Sequence, residues 1–266
     1  MPPTVIPLWP HGIPTPDGVI PPRETPQLQL YPVTSATPTG FVVICPGGGY
    51  GGRAAHEGEP IARLFNAAGI AAGVVQYRVS PHRWPVPQMD AMRAIRLARA
   101  HAAAWNLHPD RIAILGFSAG GHLAASVAVH ADHGDAGSAD PVARLSARPN
   151  AAILCYPVIS FGEWGHRGSR NNLLGPAPAA ALVEQMTLEK QVDSGTPPTF
   201  LWHTAEDEGV PVQNALLFAQ ALALHKVPFE LHVFPKGRHG LGLATDDPIV
   251  SQWSALCVNW LKKMNF

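Results

Sequence analysis

Ser118 lies in Gly116-Phe117-Ser118-Ala119-Gly120, a G-x-S-x-G pentapeptide with an apolar run (residues 111–115) before it and an alanine-rich stretch (residues 121–127) after it. That context reads as a strand running into a helix through a turn so sharp that the serine backbone is strained. Glycine is required two residues to either side, because a β-carbon there would collide with neighbouring chain. The turn lifts the serine hydroxyl clear of the sheet. It also sets the Ala119 N–H at a helix N-terminus, where it can face an oxyanion. A serine nucleophile needs a base, and a group that orients the base. Two later strand-like runs end in suitable loops. Residues 199–203 lead into Glu206, Asp207 and Glu208, and residues 229–234 lead into Gly237-Arg238-His239-Gly240. Each candidate follows the C-terminal end of a strand, the edge at which open parallel sheets bind ligands. The order serine, acid, histidine favours His239 over His203 and His122 as the base. The acid stays open among the three carboxylates at this level.

A second source of oxyanion donors follows the run at residues 41–45. Pro46-Gly47-Gly48-Gly49-Tyr50 offers consecutive glycines, whose N–H groups can turn inward and approach a ligand closely. Gly48 and Gly49 are the candidate donors, paired with Ala119. A phosphate-binding loop is the competing reading, and it fails because no Gly-Lys-Ser/Thr follows.

The elements that must hold these groups alternate. Strands are expected at residues 28–33 (an edge), 41–45, 70–77, 111–115, 151–156, 198–203 and 229–234. Helices are expected at residues 60–68, 89–105, 179–185, 212–225 and 249–262. Strand–helix alternation of this kind implies a mostly parallel, doubly wound α/β sheet without a large cap. The proline-rich residues 1–27 are expected to be irregular and to wrap the surface, and nothing divides residues 1–266 into two domains. Two polar stretches, residues 132–148 and 157–196, interrupt the pattern. Residues 157–196 are expected over the catalytic edge, with Trp164, His166, Arg167 and Asn171 suited to a substrate. Arg93, Arg96 and Arg99 form a stripe along one helix, read as a solvated face rather than an anion site. Asp90 is read as a cap or an ion-pair residue.

The 266 residues are 46% hydrophobic and 14% charged, with 19 basic and 19 acidic side chains, so a sizeable core is available and no charge excess calls for nucleic acid. Cys45, Cys155 and Cys257 sit in apolar patterns and read as buried thiols. His130, Asp132, His133 and Asp135 have metal-ligating types, but no second cluster completes four ligands; no metal and no cofactor are expected. The first residues lack a basic, then apolar, leader pattern, and no run is long enough for a transmembrane helix, so no membrane partner is expected.

Taken together, Pro46-Gly47-Gly48-Gly49-Tyr50, His56-Glu57-Gly58, Tyr77-Arg78, Gly116-Phe117-Ser118-Ala119-Gly120-Gly121-His122, His203-Thr204-Ala205-Glu206-Asp207 and His239-Gly240-Leu241-Gly242 resemble the α/β-hydrolase esterases of the acetyl-xylan esterase type. The resemblance covers nearly all of residues 40–245. It implies the α/β-hydrolase fold, with Ser118 as nucleophile, Asp207 as the acid, His239 as base, and Gly48 or Gly49 with Ala119 as oxyanion donors. Tyr50 and Trp164 are expected at the substrate. The implied substrate is an acetylated carbohydrate, such as xylan or xylo-oligosaccharides. General short-chain carboxylesterases and feruloyl esterases belong to the same group. A binding module without activity is the reading from another class, and the complete set of catalytic residue types argues against it.

Overall fold

A computed structural model of the chain describes residues 3–16 and 25–266. Among these, eight strands form one sheet in the order β1-β2-β4-β3-β5-β6-β7-β8. They are β1 (Thr4–Pro7), β2 (Gln27–Tyr31), β3 (Thr39–Cys45), β4 (Ala71–Gln76), β5 (Leu107–Phe117), β6 (Ala151–Cys155), β7 (Thr199–Thr204) and β8 (Phe229–Phe234). The pairs β1–β2 and β2–β4 are antiparallel, and every other pair is parallel. The helices are α1 (Glu59–Ala67), α2 (Val86–Ala100), α3 (Ser118–His130), α4 (Arg167–Leu174), α5 (Ala180–Gln185), α6 (Gln213–Leu224) and α7 (Gln252–Lys263).

Side chains alternate across the central strands, so each face of the sheet carries its own core. Phe41, Val43 and Cys45 of β3 and Ile112 and Ile114 of β5 point to the side covered by α2, α3 and α6. Val42 and Ile44, with Ala113, Leu115 and Phe117, point to the side covered by α1 and α7. Helix α3 leaves the middle of the sheet and is buried from Ser118 through Ala128. Its run of glycine, alanine and serine lets the helix lie close against β5 and β6.

The structure corrects the sequence reading in several places. Residues 1–27 are not wholly irregular: Thr4–Pro7 pairs with Gln27–Leu30 as the true edge strand, which makes β2 the second strand of the sheet. Of that expected wrap, residues 1, 2 and 17–24 lie outside the described residues. Helix α4 lies in a stretch expected to hold a single short helix. Its cap is the His166 ring, whose Nδ1 accepts from the Ser169 N–H at 3.1 Å, and no rule of cap preference singles out histidine. The arginine stripe of α2 is not a solvated face. Arg93 is buried and bonds the Leu8 carbonyl and Asp140. Arg96 bonds the Leu145 carbonyl and Asp132, and Arg99 the carbonyls of Ser146 and Arg148. Together they pin the irregular residues 132–148 onto the helix, a role that periodicity cannot reveal. Asp90 is fully buried between the Arg78 guanidinium (2.8 Å) and the Trp9 indole N–H (2.7 Å). No helix among the described residues is long and apolar enough to cross a membrane.

Candidate active site

Ser118 follows the last residue of β5 and opens α3, with a backbone φ of +52° that a side chain rarely adopts. The flanking glycines are there for space. A β-carbon on Gly116 would strike the Gly120 carbonyl, and one on Gly120 would strike the Cys45 carbonyl. The strained turn brings the serine Oγ within 2.8 Å of His239 Nε2. His239 Nδ1 stands 2.6 Å from Asp207 Oδ2. The ring therefore donates Nδ1–H to the carboxylate and keeps Nε2 free to accept the serine proton. Ser118 is 9% exposed and the His239 side chain 27% exposed, so the reacting pair is sheltered but reachable.

The acid is held on both oxygens. Asp207 Oδ1 accepts from the N–H groups of Gly209 (2.9 Å) and Val210 (2.8 Å). Burial pushes its carboxyl up, but hydrogen bonds from His203 and His239 and the Val210 N–H outweigh burial and hold it well below the usual carboxylate range. His203 stands second on this carboxylate: its Nε2 donates to the Val210 carbonyl at 2.8 Å and lies 3.4 Å from Asp207 Oδ2. Glu206 and Glu208 are exposed on the same loop, while Asp207 is the carboxylate that meets His239 Nδ1.

The glycine loop after β3 bends at Gly48 (φ +132°) and Gly49 (φ +63°). The Gly48 carbonyl takes the N–H groups of Gly51 and Gly52, and the Gly47 N–H is taken by Glu57 Oε2. Neither the Gly48 nor the Gly49 N–H has an acceptor among the described residues. The Ala119 N–H sits in the first turn of α3, where a helix supplies no acceptor of its own. Backbone N–H groups without an acceptor are thus present in the glycine loop after β3 and in the first turn of α3, as an oxyanion site would require.

Tyr50 departs from its expected place at the substrate. Its side chain is buried in the core, and its hydroxyl is spent on His122 Nδ1 at 2.9 Å. His122 Nε2 in turn donates to the Met186 carbonyl at 3.0 Å, which fixes the neutral tautomer. Burial lowers the His122 pKa from 6.5 to about 4. A histidine whose folded value lies below its unfolded one contributes stability that is present above about pH 6.5 and lost as pH falls towards 4. We expect acidification across that window to remove about 3 kcal/mol through this residue. Urea titrations at pH 6.5 and 4 should show that loss in the wild type and a shallower one in His122→Gln; equal losses would refute the account.

The excursion of residues 157–196 touches the site. Asn172 Nδ2 donates to the Gly49 carbonyl at 2.8 Å, which braces the glycine loop from α4. Asn214, buried on α6, accepts from the N–H groups of Ile159 and Ser160 and donates to the Trp164 carbonyl, anchoring the start of the excursion. Trp164 is 37% exposed there. The pKa of His166 is lowered by burial and, to a lesser degree, by the His239 ring. Asn172, Asn214 and Glu57 bond the loops around Ser118 and escaped the sequence reading, as did Tyr156, whose hydroxyl donates to Glu57; only the His56-Glu57-Gly58 pattern carried a hint. A cavity of about 630 Å³ opens at the edge of the site, lined by Glu206, Asp207, Glu208, Gly209, Arg238 and His239.

Residues 28–222 match the BD-FAE family. The chain belongs to that family. It is 42% identical over 220 residues to the endo-1,4-beta-xylanase B of Butyrivibrio fibrisolvens, covering 80% of this chain and 34% of that one. It is 32% identical over 234 residues to the acetylxylan esterase of Xylanibacter ruminicola, covering 85% of this chain and 46% of that one. The chain thus spans between a third and a half of the length of these two curated relatives. Among solved structures, the acetyl ester-xyloside bifunctional hydrolase of Caldicellulosiruptor lactoaceticus superimposes with a TM-score of 0.96 at 49% identity, covering 99% of this chain and 97% of that one. A carboxylesterase of Lactobacillus plantarum, Cest-2923, superimposes with a TM-score of 0.77 at 26% identity, covering 93% of this chain and 96% of that one. This BD-FAE member has the α/β-hydrolase fold, with an eight-stranded, mostly parallel sheet.

Proposed function

We propose that this chain is a serine esterase that removes acetyl groups from carbohydrate. The observation that carries the reading is the continuous hydrogen-bonded line from Ser118 Oγ through His239 to Asp207. Ser118 attacks the ester carbonyl while His239 Nε2 takes its proton. The oxyanion forms against the N–H of Ala119 and that of Gly48 or Gly49. Collapse of the tetrahedral adduct breaks the ester C–O bond, and the sugar hydroxyl leaves with the proton from His239. Water repeats the sequence on the acetyl-serine, releasing acetate and restoring the serine hydroxyl. Asp207, ionised throughout, keeps the ring in the accepting tautomer and stabilises the imidazolium as it forms.

The reading of the alcohol rests on polarity. Glu206, Glu208 and Arg238 line the cavity beside His239, and Trp164 is exposed on the excursion of residues 157–196. These groups suit hydrogen bonding to, and stacking on, a sugar. The acetylxylan esterase of Xylanibacter ruminicola is named for an activity of the same class. A p-nitrophenyl series from acetate to decanoate, run beside acetylated xylo-oligosaccharides, tests the proposal. Activity should be highest at acetate and fall with chain length, since an added methylene contributes up to about 0.8 kcal/mol only where an apolar pocket receives it. Acetate should be released from the acetylated sugars. An optimum at octanoate with no acetate from any sugar would instead assign a lipid-directed esterase.

A further inference from the structure

Behind Ser118 lies a buried carboxylate that the triad does not use. Glu57, on the single helical turn Ala55–Glu57, is 2% exposed. Its Oε2 accepts from the Gly47 N–H at 2.7 Å, and its Oε1 from the Tyr156 hydroxyl at 2.6 Å. The Tyr156 oxygen accepts in turn from the Gly242 N–H at 2.8 Å. Tyr156 follows β6 with φ +34° and meets the His239 ring edge-on, at 5.1 Å between centroids. A β-carbon on Gly47 would lie 2.7 Å from Glu57 Oε2 and 3.0 Å from Ser118 Cβ, so only glycine fits between the carboxylate and the nucleophile turn. The preceding His56 Nε2 reaches the Gly240 carbonyl at 3.1 Å. One side chain therefore meets the glycine loop after β3, the turn after β6 and, through Tyr156, the loop after β8 that carries His239. Three strand ends that are far apart in sequence converge on it.

We propose that Glu57 is a positioning residue for ester hydrolysis, joining the oxyanion loop to the loop of the base through Tyr156. The inference rests on the esterase reading above. By taking the Gly47 N–H, the carboxylate turns that peptide away from the substrate and leaves the N–H groups of Gly48 and Gly49 to face it. By fixing the Tyr156 hydroxyl, it sets the ring against which His239 packs. Burial and the Glu57 charge keep that phenol well above its ordinary range, so it stays the donor. A carboxylate can accept both bonds at once. An amide at the same place has one oxygen for two donors, and presents an NH2 group to whichever it fails to accept from. The resulting shift falls on the oxyanion donors and the base together, and these act only as the transition state forms.

The test is steady-state kinetics of Glu57→Gln, Tyr156→Phe and the double variant on p-nitrophenyl acetate, with thermal melts and the inhibition constant of phenylboronic acid, which adds to the serine as a tetrahedral anion. Glu57→Gln should lower kcat and kcat/KM together by on the order of 10²-fold, with KM unchanged. Phenylboronic acid should weaken in parallel. Tyr156→Phe should lower kcat by roughly 10-fold, and the double variant should be no worse than Glu57→Gln alone, because both act through one network. A folded Glu57→Gln with kcat within threefold of wild type, or a change confined to KM or to the melting temperature, overturns the proposal while leaving the esterase reading intact. Wild-type protein that hydrolyses no ester overturns both. Should Glu57→Gln not fold, Tyr156→Phe decides alone, and an unchanged kcat refutes the link.

Discussion

Replacing Ser118 by alanine removes ester hydrolysis by on the order of 10³-fold or more and leaves the fold intact. The side chain contributes little to the core, since it sits at the rim of the site with its Oγ directed at His239 Nε2. What holds the turn is the pair of close approaches at Gly116 and Gly120, which the substitution does not touch. The strain at φ +52° is present with either side chain. Circular dichroism and the melting temperature should therefore match wild type while turnover of p-nitrophenyl acetate collapses. A fluorophosphonate probe should label the wild type at Ser118 and leave Ser118→Ala unlabelled. Labelling at Ser126 or Ser160 would require another nucleophile, although Ser126 Oγ already donates to the Leu123 carbonyl inside α3.

The second large effect is expected at Asp207. Asparagine at this position lowers kcat by on the order of 10²- to 10⁴-fold. The carboxylate accepts the His239 Nδ1–H on Oδ2, and two backbone N–H groups on Oδ1. An amide oriented to keep the backbone bonds presents its NH2 group to the imidazole. The ring then carries its proton on Nε2, where it cannot accept from Ser118. Glu206→Gln and Glu208→Gln should keep a near wild-type kcat on p-nitrophenyl acetate, which lacks the sugar, because the carboxylate bonded to the ring is that of Asp207. If Glu208→Gln proved the more damaging change, the acid would have to be reassigned. Asp207 is held well below the usual carboxylate range, so it remains ionised at any pH where the protein is assayed.

The parts of the site that were legible in the sequence are those where local geometry and chemistry coincide. Gly116-Phe117-Ser118-Ala119-Gly120 can be read directly because the collision that requires each glycine involves backbone only a few residues away, or the strand next door. His239 and Asp207 could be placed because a parallel sheet delivers successive loops to one edge, in chain order. The strands β3 to β7 were visible as apolar runs because burial on both faces leaves little polar alternation, whereas the edge strand β8 alternates Glu230 and His232 with apolar residues. Roles that depend on what lies across the fold stayed hidden. Tyr50 reads as an aromatic beside a glycine loop, yet its direction is set by His122 on another element, which turns it into the core. Arg93, Arg96 and Arg99 have the spacing of a solvent face, and only the return of residues 132–148 over α2 converts them into anchors. Strand β1 shows no pattern of its own, since a four-residue edge strand exists only through its pairing with β2. Glu57, Tyr156 and Gly242 lie far apart along the chain, and no periodicity relates them. Sequence thus determined the candidate nucleophile, the order of its candidate partners and the sheet that carries them, because these follow from short-range sterics and strand polarity. The tertiary structure alone decided which buried polar groups meet behind the site, because hydrogen bonds between distant loops depend on where the packed sheet brings their ends.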